Sequence, residues 1–373
     1  MAKTRRTRPA FVQRGRQALA WGLVWVLALH VGLSISLETW LPVARDPEYG
    51  RKLALLRQRI AEDPQRPLVL VLGSSRSGLG VRPAAFEPRP DPAGRAPLVF
   101  NFAMTGAGPV HELMFLRRLL AQGIHPRMVL IEVHPLFLHQ QSGYAEENWL
   151  NINRLQRCDL ELLARYHSNY PAVHHHWRWS RLAPWWAHRF TLLALFEPRW
   201  VQQESRPDTW TRLDPDGWLP FHREQVTLDE YGRARELAKK EYARALQSFH
   251  VTSVPDRAIR ELFDLCRRHE IATGLFVMPE ASDFRSWYPD SAREQVDAYL
   301  AALCREYQCP LVDATFWIED ALFSDGHHLL PAGANHFSQR FGREVLQPML
   351  ARAGLPTSPA ADVASKRRTK TSR

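Results

Sequence analysis

Leu68-Val-Leu-Val-Leu72, running into Gly73-Ser-Ser75-Arg-Ser-Gly78, decides the fold. Such a short apolar run with no polar alternation reads as a strand buried on both faces. The small residues after it make a tight turn leading into a helix. Outward from this stretch the same pairing recurs. Leu98-Val-Phe-Asn-Phe102 ends in Met104-Thr-Gly-Ala-Gly-Pro109 and opens a helix through Leu120, and Met128-Val-Leu-Ile-Glu-Val133 ends at His134-Pro135. Later, a helix over 258–269 precedes Thr273-Gly-Leu-Phe-Val-Met278, and a helix over 292–307 precedes Pro310-Leu-Val-Asp313. A helix over 331–350 closes the pattern. Strands alternating with helices predict an α/β fold with a mostly parallel sheet covered on both faces, three layers in all. Ligands in such sheets bind outside the carboxyl ends of the strands, where all these loops lie.

The flanks carry different information. The formal charge is +10, but it is concentrated at the ends: Lys3, Arg5, Arg6, Arg8, Arg14 and Arg16 at one, Lys366, Arg367, Arg368, Lys370 and Arg373 at the other. No basic motif interleaved with aromatics accompanies them, so nucleic acid is not an expected partner. Residues 18–37 contain no Lys, Arg, Asp or Glu. Roughly 20 apolar residues in a helix cross a bilayer core, so this segment is expected to be a transmembrane anchor. The basic stretch 1–17 before it predicts a cytoplasmic N-terminus with the main domain exported. A cleaved signal peptide is the competing reading, but the run is long for one and lacks a clear A-x-A site. Helical spacing continues over 47–62, and 45–355 is the expected main domain. From 356 onward Ser, Ala, Pro and basic residues read as a disordered tail.

Residues 140–255 break the strand–helix rhythm and read as an insertion forming a cap, with a turn at Asp214-Pro-Asp-Gly-Trp218 and a charged amphipathic helix over 228–249. Eight of the chain's 13 Trp fall here, among them Trp177, Trp179, Trp185, Trp186, Trp200, Trp210 and Trp218. They suit stacking on sugar rings, resting on a membrane, or packing the insertion's own core. His174-His-His176 has no carboxylate or cysteine companion at ligand spacing, and no metal is expected there. The four cysteines read as buried free thiols; Cys304 and Cys309 are the only pair set for a bridge.

A serine becomes a nucleophile when an imidazole takes its proton and an acid orients that imidazole. Ser75 stands just past the first strand, where its own N–H at a helix start can face an oxyanion. Ser324-Asp-Gly-His-His-Leu-Leu-Pro-Ala-Gly-Ala334 sets Asp325 three residues before His328 in a loop closed by a helix-opening proline. His327 is the rival base. Arg76, beside Ser75, reads either as a binder of an anionic substrate group or as the partner of an acid.

Gly73-Ser-Ser75, Gly106 after the second strand, and Asp325-x-x-His328 before Leu-Leu-Pro-Ala-Gly-Ala together resemble the SGNH/GDSL hydrolase superfamily. In particular the chain is similar to its membrane-anchored branch, which includes alginate O-acetyltransferase-like proteins. The resemblance spans about 68–350, excluding the insertion, and implies a flavodoxin-like sheet. It implies Ser75 as nucleophile, His328 as general base, Asp325 as orienting acid, and the N–H groups of Ser75 and Gly106 in the oxyanion hole. It also spares the reaction any metal or cofactor. Two departures stand out. Ser74 replaces the acid of the Gly-Asp-Ser signature, and Glu132-Val-His134-Pro135 stands where the family has Gly-x-Asn-Asp. With His134 as the candidate replacement donor, losing the Asn costs roughly 100- to 1,000-fold in rate.

The expected function is therefore serine-dependent acyl transfer or ester hydrolysis on a cell-envelope polysaccharide. The expected location is a bacterial inner membrane, single-pass, with the main domain periplasmic. For a transferase, the resemblance implies a multi-pass membrane acyltransferase as the acyl-donating partner. The alternatives are a non-catalytic assembly or glycan-binding protein of an exopolysaccharide system that retains the fold, and a lipid esterase.

Overall fold

A computed structural model describes residues 9–86, 96–139, 146–201, 207–247 and 249–355. The tail from 356, the first eight residues of the basic stretch and the opening of the insertion at 140–145 lie outside the described residues. The principal helices are α1 (Pro9–Thr39), α2 (Pro47–Glu62), α3 (Ser75–Gly80), α4 (Pro109–Ala121), α5 (Tyr170–Leu182), α6 (Arg189–Phe196), α7 (Leu228–Gln247), α8 (Ser253–Arg268), α9 (Asp290–Tyr307) and α10 (Pro331–Phe341). After α10 a wide π turn at Gly342–Leu346 leads into Gln347–Arg352, so the expected closing helix is present but interrupted.

Five strands, β1 (Leu68–Leu72), β2 (Leu98–Asn101), β3 (Met128–Glu132), β4 (Ala272–Val277) and β5 (Leu311–Asp313), form one sheet in the order β2-β1-β3-β4-β5. Every pairing is parallel. This is the flavodoxin-like doubly wound order, and it agrees with the architecture expected from the sequence. The pleat explains why β1 carries no polar residue. Val69 and Val71 point into a core shared with Phe337, Phe341 and Met349 beyond the sheet. Leu68, Leu70 and Leu72 therefore point to the opposite face. All five residues of β1 are buried, which removes the water-facing positions that would otherwise favour alternation. On the C-terminal side of the sheet, Phe102 N–H donates to Val71 O (2.9 Å) and Met104 N–H to Gly73 O (2.8 Å), so the first two loops are tied together.

The chain divides into two units. The sheet-bearing unit comprises 51–150, 161–168 and 210 onward; the other comprises the segment through Gly50 with 151–160 and 169–209. The insertion is thus split between them. Its aromatic helices α5 and α6 group with α1, whereas α7 groups with the sheet. The Asp214–Trp218 segment is a closed turn, with Asp214 Oδ1 accepting from the N–H groups of Asp216 and Trp218 at 3.0 and 2.9 Å. No strand flanks it.

Within α1, Gln13–Thr39 is long and apolar enough to cross a membrane, the one such segment among the described residues; a signal sequence has the same character. The cysteines differ from expectation at two positions. Cys158 is exposed, while Cys266 and Cys309 are buried and Cys304 is half-buried.

Candidate active site

Ser75 is the first residue of α3, and the turn before it is held by an acid from the neighbouring strand. Ser74 caps the helix, its Oγ accepting from Arg76 N–H at 3.2 Å. The N–H and O–H of Ser74 in turn donate to the Glu132 carboxylate at 2.8 and 3.1 Å, and Ser77 N–H adds a third bond at 3.3 Å. A Cβ on residue 73 would sit 2.5 Å from Glu132 Oε2, so glycine is what lets the carboxylate reach the turn. Glu132 is the only charged residue of β3. That lone charge in an apolar run was the available signal for this clamp, which the sequence reading missed.

The other half of the site is a closed loop between a short bridge, Phe323 to Leu329, and the start of α10. Ser324 N–H donates to His328 O at 2.9 Å, and Asp325 Oδ1 accepts from the backbone N–H groups of His327 and His328 at 3.1 and 2.8 Å. These bonds fix Asp325 so that its Oδ2 meets His328 Nδ1 at 2.7 Å. His328 Nε2 then lies 2.8 Å from Ser75 Oγ. Burial works against the charge on Asp325, but His327 and His328, together with the bonds from His328, outweigh it and hold the carboxyl well below its usual range. An ionised Asp325 accepts from Nδ1, which leaves Nε2 as the basic nitrogen facing the serine hydroxyl. Ser75, His328 and Asp325 are each half-buried, so the chain of bonds is accessible from solvent.

His327 does not compete for this position. Its ring is buried and packs edge-on against Tyr242 of α7 at 5.2 Å, with Phe284 at 5.1 Å. Burial and the His328 and Arg76 charges, against the opposing pull of Asp325, push its pKa down to about 3.

Ser75 N–H occupies a first-turn position with no intrahelical acceptor. Gly106 lies in a turn at φ +70°, with Trp149 so close that a Cβ on residue 106 would meet its side chain at 2.7 Å. Just beyond, the Glu146 carboxylate accepts from Gly108 and Val110 N–H at 3.0 Å each and from His111 N–H at 2.5 Å, pinning the start of α4. Neither Ser75 nor Gly106 N–H has a protein acceptor among the described residues. Glu146 and Trp149, both from the insertion, thus brace the Gly106 loop; nothing in their local sequence marks them for this.

Arg76 is where the structure corrects the sequence reading. The side chain is 1% exposed. One guanidinium nitrogen donates to the carbonyls of Met278 and Pro279 at 3.0 Å each. The other meets His134 Nδ1 at 3.1 Å and Glu280 Oε1 at 3.2 Å. A guanidinium spent on buried protein partners is not free for a substrate anion, so of the two readings the acid partner holds. The same contact defines His134. Burial, then the Arg76 charge, hold its pKa well below the usual value. Arginine has no acceptor, so Nδ1 takes the bond and the neutral ring carries its proton on Nε2, as an N–H donor.

Asp325, His327 and His328 bring one ligand atom each within 4.8 Å of one another, the spacing of a metal site. Both nitrogens of His328 are already committed to Asp325 and Ser75, and a cation there would have to break the Ser75 bond. The triple histidine is likewise spent locally: His174 stacks on Trp177 at 6.4 Å, His175 Nε2 accepts from Trp179 Nε1 at 2.9 Å, and His176 Nε2 meets Asn153 Oδ1 at 3.1 Å.

No curated protein matches the sequence. Residues 48–182 are similar to a family described as Protein of unknown function (DUF1574). That match takes in the Ser75 turn, the Gly106 loop and His134 but stops short of Asp325 and His328, and it covers less than half of the chain.

Proposed function

We propose that the protein is a serine acyl-transfer enzyme of the cell envelope. What carries the reading is the unbroken line from Ser75 Oγ to His328 Nε2 (2.8 Å) and from His328 Nδ1 to Asp325 Oδ2 (2.7 Å). Ser75 Oγ attacks the carbonyl carbon of an acyl ester while its proton passes to His328 Nε2. The N–H groups of Ser75 and Gly106 receive the oxyanion, with His134 Nε2–H as a third candidate donor in place of the family's Asn. Collapse expels the donor alkoxide, which takes the proton from His328. A sugar hydroxyl or water then repeats the sequence in reverse on the acyl-enzyme. The steps need no metal or cofactor.

The envelope reading rests on α1, taken as a single-pass anchor of a bacterial inner membrane with the main domain periplasmic. Polysaccharide is then the natural acceptor, and a multi-pass membrane acyltransferase the natural donor of acyl groups. The opposing observation is the replaced Asn block, with His134 held by Arg76. It favours a non-catalytic assembly or glycan-binding protein that retains the fold.

The deciding experiment compares the full chain in detergent with Ser75→Ala and His328→Ala for fluorophosphonate labelling and p-nitrophenyl acetate turnover. Labelling of the wild type alone, and turnover lost by about 10⁶-fold in the variants, is the expected outcome. A folded wild type that neither labels nor turns over leaves the non-catalytic reading.

A further inference from the structure

The unit built around α1 carries large aromatics on its surface. Trp179, Trp185, Trp186, Phe190, Phe196 and Trp200 are all exposed, Phe196 at 86% and Trp200 at 71%. They lie on α5, the short helix Pro184–Ala187, α6 and the turn Pro198–Trp200 that follows it. Scattered apolar residues on a surface need no explanation, but a run of this kind marks an interaction face. Part of it is continuous by contact. The rings of Trp185 and Trp186 are 6.1 Å apart, and the Arg189 guanidinium lies 4.1 Å from Trp186 and 4.3 Å from Phe190.

Two further observations identify the occupant. The first is the tie to α1. Glu38, one residue before the end of that helix, pairs with Arg181 Nε at 2.6 Å and with Arg45 at 2.9 Å. Arg181 closes α5, and the helix Pro184–Ala187 packs against α1. The aromatic helices are therefore fastened to the end of the apolar segment, where a spanning helix meets the headgroups, and Trp40 there is 74% exposed. The second is charge. Residues 170–200 hold four Arg against one Glu, the sign that anionic lipid phosphates attract. Tryptophan with arginine is the composition of an interfacial helix.

We propose that α5, Pro184–Ala187 and α6 form a platform lying in the lipid interface of the bilayer that α1 crosses. Its aromatics sit between headgroups and acyl chains, and Arg178 and Arg189, which are not spent on Glu38 or Glu197 as Arg181 and Arg199 are, lie against lipid phosphates. The proposal rests on α1 being a retained span, and the test separates the two.

The test uses the full chain with Cys158→Ser, in nanodiscs of phosphatidylcholine and phosphatidylglycerol. A fluorophore is placed singly at Trp186→Cys, Phe196→Cys, Gly22→Cys within α1, or Leu228→Cys, a 90% exposed position in the sheet-bearing unit. Spin-labelled lipids are expected to remove most of the signal at 186, 196 and 22 and spare 228, with aqueous iodide doing the reverse. Quenching by lipid at 22 but iodide access at 186 and 196 means that the aromatics face water, free for a glycan, and overturns the proposal. Shielding of 186 and 196 from both quenchers means that a second copy of the chain covers them, and also overturns it. No lipid quenching even at 22 removes the span and the platform together.

Discussion

The sheet-bearing unit hides charge, whereas the unit around α1 displays aromatic carbon. In the first, Arg76, Glu132, Glu280 and His327 are at most 5% exposed, yet each of the first three is met by hydrogen bonds or an ion pair. In the second, Phe196 and Trp200 are among the most exposed large apolar side chains of the described residues. Both arrangements invert the usual distribution of polar and apolar groups, and a fold tolerates such inversions where something other than stability is served. Buried charge met by hydrogen bonds and ion pairs fixes atoms in place; exposed aromatic surface is open to a partner.

If buried charge fixes the site, its loss shows in activity or stability according to which atom it held. Asp325→Asn keeps the shape of the loop but cannot hold the His328 tautomer. It is expected to lower kcat by about 10⁴-fold with little change in Tm, read by ester turnover and thermal unfolding. A loss under tenfold would mean that the Asp325 bond is incidental. Arg76→Met tests the corrected reading of that residue. Leaving Glu280 buried without its cation is expected to cost about 3–5 kcal/mol, seen in denaturant unfolding. A variant of normal stability with a raised KM would return Arg76 to substrate binding.

Gly106→Ala places a methyl group against Trp149 at a positive φ. Displacing the N–H of this loop is expected to cost about 100- to 1,000-fold in kcat. Unchanged turnover would remove Gly106 from the oxyanion hole. The smallest effect is on pH. His134, His327 and, in the other unit, His188 are neutral in the folded protein. Burial, then the charges of Arg181, Arg45 and Arg154, push the His188 pKa down to about 4. The unfolded chain takes protons on these residues below a pH of about 6.5 while the folded protein does not. Stability is thus full above that pH and falls as pH drops toward 4, by up to about 1.4 kcal/mol per pH unit for each histidine. His188→Gln should flatten the fall in Tm over that window. An unchanged slope would show that His188 does not contribute.

The same contrast explains what could be read from the sequence. β1 to β4 were legible because strands buried on both faces are written as unbroken apolar runs. Ser75, Asp325 and His328 were legible because each sits in a loop whose turn chemistry is local. The partners of Arg76 were not, since Met278, Pro279 and Glu280 lie about two hundred residues away and no spacing encodes the meeting. Glu132 was read only as a departure from a family motif, though its clamp on Ser74 and Ser77 gives it a purpose of its own. The tryptophans of α5 and of Pro184–Ala187 were visible, but whether they faced inward or outward is set by packing, which composition does not specify.

The bond between Ser75 and His328 joins residues 253 positions apart. A ribosome makes the serine 253 residues before the histidine, so a chain released between the two carries Ser75 without His328. With β5 and the Asp325 loop both supplied by the final part of the sheet-bearing unit, the Ser75–His328 contact can form only after the rest of the sheet has been synthesised. Under the proposed function, a chain released before His328 would lack the base for Ser75, so synthesis of the Asp325 loop would be the step that arms the serine.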